Sequence, residues 1–168
     1  EEFIPLAEQS GLIQDITAHV LQVVMRQLQV WRDAGFDLAI AVNLSAHDLL
    51  DENFPDLIAK LLQSHDLSSR SLILEVTESA VMKDAATAGK VMNRLQEQGI
   101  RLSIDDFGTG QASLAQLKSL PVDELKIDKS FVMDLINSDD DKVIVSSTID
   151  LAHDMGLKVT AEGVECEA

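Results

Sequence analysis

The residues able to do chemistry in this chain sit where its apolar runs break off. Asn43 follows Leu38-Ala39-Ile40-Ala41-Val42, and Glu75 and Glu78 follow Leu72-Ile73-Leu74. Asp105-Asp106 end the run from Ile100 to Ile104, Lys126 and Asp128 fall at the end of Val122 to Ile127, and Glu162 follows Leu157 to Ala161. If those breaks converge, Glu75, Asp105, Asp106 and Glu162 bring about four negative charges into one pocket, a costly arrangement if left bare. Oxygen-ligated divalent cations remove that cost, and Asn43 adds a neutral carbonyl ligand. Adjacent aspartates suit a two-metal site, because one can bridge both ions while the other binds one. Two metals about 4 Å apart are a common device for phosphoryl chemistry. Lys126 in such a pocket is held charged and can orient a water or neutralise a phosphate.

Each residue also has an ordinary reading. A lone carboxylate at a strand end is more often a helix cap or a turn residue. Asp105-Asp106 could simply start the turn Phe107-Gly108-Thr109-Gly110. Glu75 is harder to dismiss, since alternation points it with Ile73 to the inner face, where an ionised group needs a partner. Coincidence at five successive strands is less plausible than at any one. His19, His47, His65 and His153 show no metal-ligand spacing, and Ser45 has no histidine near it at the strand ends.

The elements that must position these groups alternate along the chain. Ile13, Ile16, Val20, Val23, Val24, Leu28 and Trp31 recur at helical spacing and stop at Gly35. Phe54, Leu57, Ile58, Leu61 and Leu62 give a second stripe, and Val91, Met92 and Leu95 a third that closes at Gly99. A short helix is expected from Leu114 to Leu120, and a longer one opens at Asp139-Asp140-Asp141, whose acids complement a helix dipole. About five strands separated by helices predict an α/β fold with a parallel sheet. An open doubly wound sheet and a (β/α) barrel both fit. The first strand runs into Asn43-Leu44-Ser45 without a glycine fingerprint, which weakens the open sheet as a dinucleotide site. In a barrel the C-terminal strand ends share one face, the one that carries active sites.

Composition narrows the function classes. With 29 acidic and 13 basic residues the formal net charge is −16, and no cluster of Lys and Arg offers a footprint for a nucleic acid polymer. No apolar run approaches the roughly 20 residues that a membrane span requires. A lone cysteine, Cys166, and the lack of a signal-like N-terminus lead us to expect a cytoplasmic domain, which a membrane-anchored parent protein could also carry.

Several segments together resemble one family. Glu2-Phe3-Ile4-Pro5-Leu6-Ala7-Glu8, Asn43-Leu44-Ser45, Glu75-Val76-Thr77-Glu78-Ser79 and Asp105-Asp106-Phe107-Gly108-Thr109-Gly110 look like EAL-domain motifs. Leu120-Pro121-Val122-Asp123, Lys126-Ile127-Asp128-Lys129-Ser130-Phe131 and Ala161-Glu162-Gly163-Val164-Glu165 continue the match in order. The resemblance covers essentially residues 1–168 and implies a modified, here incomplete, TIM-type barrel. It implies a phosphodiesterase that hydrolyses cyclic di-GMP to linear pGpG with two Mg²⁺ or Mn²⁺ ions. Carried over by motif, Asn43 and Glu75 resemble ligands of the first ion, Asp105 the bridging ligand, and Asp106 and Glu162 ligands of the second. Lys126 resembles the residue that contacts the catalytic water, with Asp128 close by, and Glu162 counts with them as catalytic. Glu78 resembles the support of the loop from Asp106 to about Ser113, which in the family takes part in dimer contacts.

The same resemblance sets expectations about extent and partners. The strand bearing the Glu-Ala-Leu motif is expected before Glu1 and a C-terminal segment after Ala168, so this chain alone is expected to be inactive. Gln111 stands where many members have tyrosine, a minor change at the loop surface. A homodimer and a covalently linked sensory or diguanylate cyclase domain are the expected partners. The alternatives are an inactive cyclic di-GMP receptor, a dimerising regulatory scaffold, or another metal-dependent barrel phosphohydrolase. Competent residues at every covered ligand position disfavour the receptor.

Overall fold

Between Leu72 and Thr77 burial alternates residue by residue: Leu72, Leu74 and Val76 are fully buried, and Ile73, Glu75 and Thr77 half-buried. This two-residue period marks a strand with one face on the core and a second, more polar face. The computed structural model describes residues 3–108, 118–133, 135 and 138–164. It contains the strands β1 (Ile40–Leu44), β2 (Leu72–Thr77), β3 (Arg101–Phe107), β4 (Glu124–Ile127) and β5 (Lys158–Ala161). All four neighbouring pairs are parallel, and the strands lie in sequence order from β1 to β5.

That order decides between the two expected architectures. Parallel crossovers are right-handed almost without exception, so strands added always in one direction send their helices to one face. A doubly wound sheet reverses direction at a switch point, and this sheet does not. The fold is α/β, a five-stranded parallel sheet in the arrangement of an incomplete TIM-type barrel.

Eight α-helices are described: α1 (Ile4–Ser10), α2 (Ile13–Asp33), α3 (Ala46–Leu49), α4 (Phe54–Ser64), α5 (Glu78–Met82), α6 (Ala85–Glu97), α7 (Lys129–Met133) and α8 (Asp139–Asp154). Leu21 and Met25 of α2, Ile58 of α4 and Met92 and Leu95 of α6 form one core with Leu74, Leu102 and Leu125 of the sheet. Here the helical stripes need correction. Val20 and Val23 are 39% and 46% exposed, and α2 packs through Ile13, Thr17, Leu21, Val24, Met25 and Leu28 instead. Leu57 and Ile144 likewise lie exposed. Apolar residues outnumber the positions a single helix face can bury, so a hydrophobic list overstates the stripe.

Strand bounds shift for a related reason. Pairing begins at Ile40↔Leu72, and Leu38, outside it, is 47% exposed. The acidic triplet at Asp139 does open a helix, where Ser138 accepts a hydrogen bond from Asp141 N–H. Most of the helix expected from Leu114 to Leu120 lies outside the described residues, as does Cys166. Among the described residues no helix is long and apolar enough to cross a membrane.

Candidate metal centre

The parallel register lines up the polar strand ends. Asn43 on β1 pairs with Glu75 on β2, and Thr77 on β2 with Asp105 on β3. On β4, Lys126 pairs with Thr160, and Glu162 follows Ala161 at the end of β5, its N–H bonded to the Ile127 carbonyl at 3.1 Å. Asp123 fixes the other end of these strands: its carboxylate accepts from Leu102 N–H at 2.9 Å and its carbonyl from Lys158 N–H at 3.0 Å.

Two adjacent aspartates in a regular strand would point to opposite faces. Between Ile104 and Phe107 the register of β3 against β4 slips, because three steps on β3 span the two from Leu125 to Ile127. Asp106 absorbs the extra residue in the left-handed region, at φ 55°. Aspartate tolerates this conformation better than most side chains do. The bulge re-aims the pair, so that Asp105, Asp106 and Glu162 each bring an oxygen within 4.8 Å of the others. This cluster can chelate a divalent metal.

Lys126 ties the rest together. Its Nζ lies 3.0 Å from Glu75, 3.1 Å from Asp105 and 2.5 Å from Glu162. Glu75, Lys126 and Asp105 have side chains only 13–14% exposed. Burial by itself pulls the Lys126 pKa down, but hydrogen bonds to Glu162, Glu75 and Asp105 outweigh it and leave the ammonium charged well beyond neutral pH. One ammonium against three carboxylates leaves an excess of negative charge before Asp106 is counted. The Asp106 pKa is pushed up, first by burial and then by Asp105, Asp128 and Glu162. A site that already holds one cation on oxygen ligands, and still disfavours the charge on a further carboxylate, fits a divalent ion by donor chemistry and by charge.

The remaining sequence candidates surround this centre. Asp128 accepts hydrogen bonds from the backbone N–H and the hydroxyl of Ser130, which hold its pKa below the usual carboxylate value. Glu78, 4% exposed, accepts from Gly108 N–H at 3.4 Å, at the start of the loop to Ser113. Residues 109–117, including Gln111, lie outside the described ones. A cavity of about 840 Å³ reaches Asn43, Asp105 and Asp106 from the side of α1 and α2 and leaves Glu75, Lys126 and Glu162 out of its lining.

Gly163 was not singled out from the sequence, yet it turns the chain directly after Glu162 in a conformation that favours glycine. It has φ +73°, and a Cβ there would lie 2.7 Å from Lys129 Cβ and 3.4 Å from its Cα. Gly163→Ala is therefore expected to destabilise the protein by more than about 1 kcal/mol, measured by urea unfolding. The turn to α7 that creates this crowding cannot be read from a Gly in sequence.

Comparison with known proteins matches this geometry to a family. Residues 1–168 match the EAL domain. The chain is 46% identical over 168 residues to the bifunctional diguanylate cyclase/cyclic di-GMP phosphodiesterase MucR of Pseudomonas aeruginosa, covering 99% of this chain and 24% of that protein. It is 42% identical over 164 residues to the signaling protein YkoW of Bacillus subtilis, covering 98% of this chain and 20% of that one. The chain thus spans about a quarter or less of these curated relatives. Among solved structures, the PaMucR phosphodiesterase in complex with c-di-GMP superposes with a TM-score of 0.93 at 46% identity, over 99% of this chain and 68% of that one. The EAL domain of Mycobacterium smegmatis DcpA gives 0.84 at 37% identity, over 92% and 70%. With its motifs in order on successive strand ends of one parallel sheet, the chain belongs to the EAL domain family.

Proposed function

We propose that this chain supplies the catalytic face of a metal-dependent phosphodiesterase that hydrolyses cyclic di-GMP to linear pGpG. The observation that carries the reading is the ion cluster around Lys126: three carboxylates from three strand ends on one ammonium, with Asp106 beside them. The names of the relatives support the substrate, and the donor set supports two Mg²⁺ or Mn²⁺ ions. In this reading Asn43, Glu75 and Asp105 would hold one ion, and Asp105, Asp106 and Glu162 the other. Bound there, divalent cations supply Lewis-acid charge to the phosphodiester and lower the pKa of water.

The chain's own groups do the remaining work. Lys126 keeps its proton, so it acts as a hydrogen-bond donor and a fixed positive charge, orienting the attacking water or a phosphate oxygen. Water adds to phosphorus, the bond from phosphorus to the 3′ oxygen breaks, and that oxygen leaves with a proton. Asp128, kept ionised by Ser130, adds negative charge beside Asp106. Glu78 steadies the segment at Gly108. A homodimer and a linked sensory or diguanylate cyclase domain belong to the same proposal, the latter supported by the bifunctional name of MucR.

The test is hydrolysis of cyclic di-GMP by the full-length protein with Mn²⁺ or Mg²⁺, with Glu162→Gln as control. Metal-dependent release of pGpG that the substitution abolishes supports the reading. Intact substrate with retained binding assigns the protein to the receptors instead. Metal should also stabilise the fold, since it neutralises the carboxylate excess. At a hundredfold excess over Kd, Mn²⁺ is expected to add about 2.7 kcal/mol of stability, reversed by EDTA and read as a shift in Tm.

A further inference from the structure

Behind Asn43 lies a buried polar knot that the reaction does not use. Asp48 is 2% exposed, Thr17 6% and Ser45 8%. One carboxylate oxygen of Asp48 accepts from Ser45 N–H at 2.9 Å and from the Ser45 hydroxyl at 2.7 Å, and the Thr17 hydroxyl lies 3.0 Å from it and 3.1 Å from its own helix's Ile13 carbonyl. The Ser45 hydroxyl in turn accepts from Asp48 N–H at 3.3 Å, completing a capping box. The helix so capped, α3, has only four residues, too few to hold itself by its own ladder. It follows β1 directly, with a single residue, Leu44, between Asn43 and the cap.

A buried carboxylate costs free energy unless donors converge on it, and a short helix alone gives little reason to bear that cost. The donors here come from two places: the turn after Asn43, and the 21-residue helix α2, which is packed into the core. We infer that Asp48 and Thr17 are positioning residues, which clamp the Asn43 turn to α2 and so hold Asn43 at the metal centre. The cavity that reaches Asn43, Asp105 and Asp106 is lined by Thr17 and Ser45 as well, so clamp and centre share one wall. The inference rests on the proposed role of Asn43 as a ligand. Groups that orient ligands in this way commonly change metal affinity about tenfold or more when removed.

Thr17→Val keeps the shape of the side chain and removes its hydroxyl. In the full-length protein, calorimetry reads the Mn²⁺ binding that Asp105→Asn abolishes. Thr17→Val and Asp48→Asn are expected to raise the Kd for that binding about tenfold, and Thr17→Ser to restore it. Ile58→Val trims the fully buried core on α4 without touching the hydrogen bonds of the clamp, and should lower Tm with Kd unchanged, separating positioning from general loss of stability. If Thr17→Val and Asp48→Asn bind Mn²⁺ as the wild type does, whatever their Tm, the clamp is only a helix cap and the inference is overturned. If the wild type binds no Mn²⁺ that depends on Asp105, the metal centre itself fails, and the clamp loses its purpose with it.

Discussion

Lys126→Met is expected to cut hydrolysis by about 10²- to 10³-fold while tightening Mn²⁺ binding. The two effects have one cause. The ammonium touches Glu75, Asp105 and Glu162, all of them proposed metal ligands, and without metal it is the main counter-charge for these acids. A unit charge at 4 Å is worth about 4 kcal/mol near a protein surface, so even after heavy screening its removal should improve cation affinity about tenfold. The rate falls because methionine offers neither a donor nor a charge to the water or the phosphate. Metal-free Lys126→Met should also unfold more easily, by about 3 kcal/mol, since three poorly exposed carboxylates lose their partner. Added Mn²⁺ should recover that loss. Rates at saturating Mn²⁺, calorimetric Kd and Tm in EDTA are the three measurements. An unchanged rate would reduce Lys126 to a structural counter-ion.

The positions of these groups were legible in the sequence because strands repeat every two residues and parallel strands end on one side. Glu75 interrupting an apolar run beside Ile73 already implied an inner-facing carboxylate, and the register against Asn43 and Ser103 puts it on that face. The choice between barrel and doubly wound sheet was not legible in periodicity, since strand order leaves no mark on any one segment; the motif resemblance carried it, and the strand order agrees. The bulge at Asp105-Asp106 was hidden too. Nothing in the letters says that one of two aspartates will adopt φ 55° and let both face the same centre. The α2 stripe misled for a different reason: Val20 and Val23 are apolar enough to read as core, but Leu21 and Met25 lie on the face that is buried.

That bulge sets up the second large effect, a contrast between neighbours. Asp105→Asn removes the carboxylate proposed to bridge two ions and a direct partner of Lys126. It is expected to abolish Mn²⁺-dependent stabilisation, lower the rate about 10³-fold and weaken the metal-free fold. Asp106→Asn should also abolish hydrolysis, yet stabilise the metal-free protein. Asparagine accepts the left-handed backbone as aspartate does, and it carries no charge to oppose Asp105, Asp128 and Glu162. The pH dependence follows from the sign of the shift. The folded pKa of Asp106 is raised above the ordinary 3.8, so the folded state binds the proton more tightly than the unfolded one. Ionisation therefore costs stability, beginning as pH rises past 3.8 and complete once it exceeds the folded pKa. In EDTA, Tm of Asp106→Asn should exceed that of the wild type by a margin that widens with pH across that window. In Mn²⁺ the order should reverse, because only the wild type gains the ion. A variant less stable than the wild type in EDTA at every pH would mean that Asp106 holds the loop through its own contacts, and that charge crowding at the bulge is not what metal relieves.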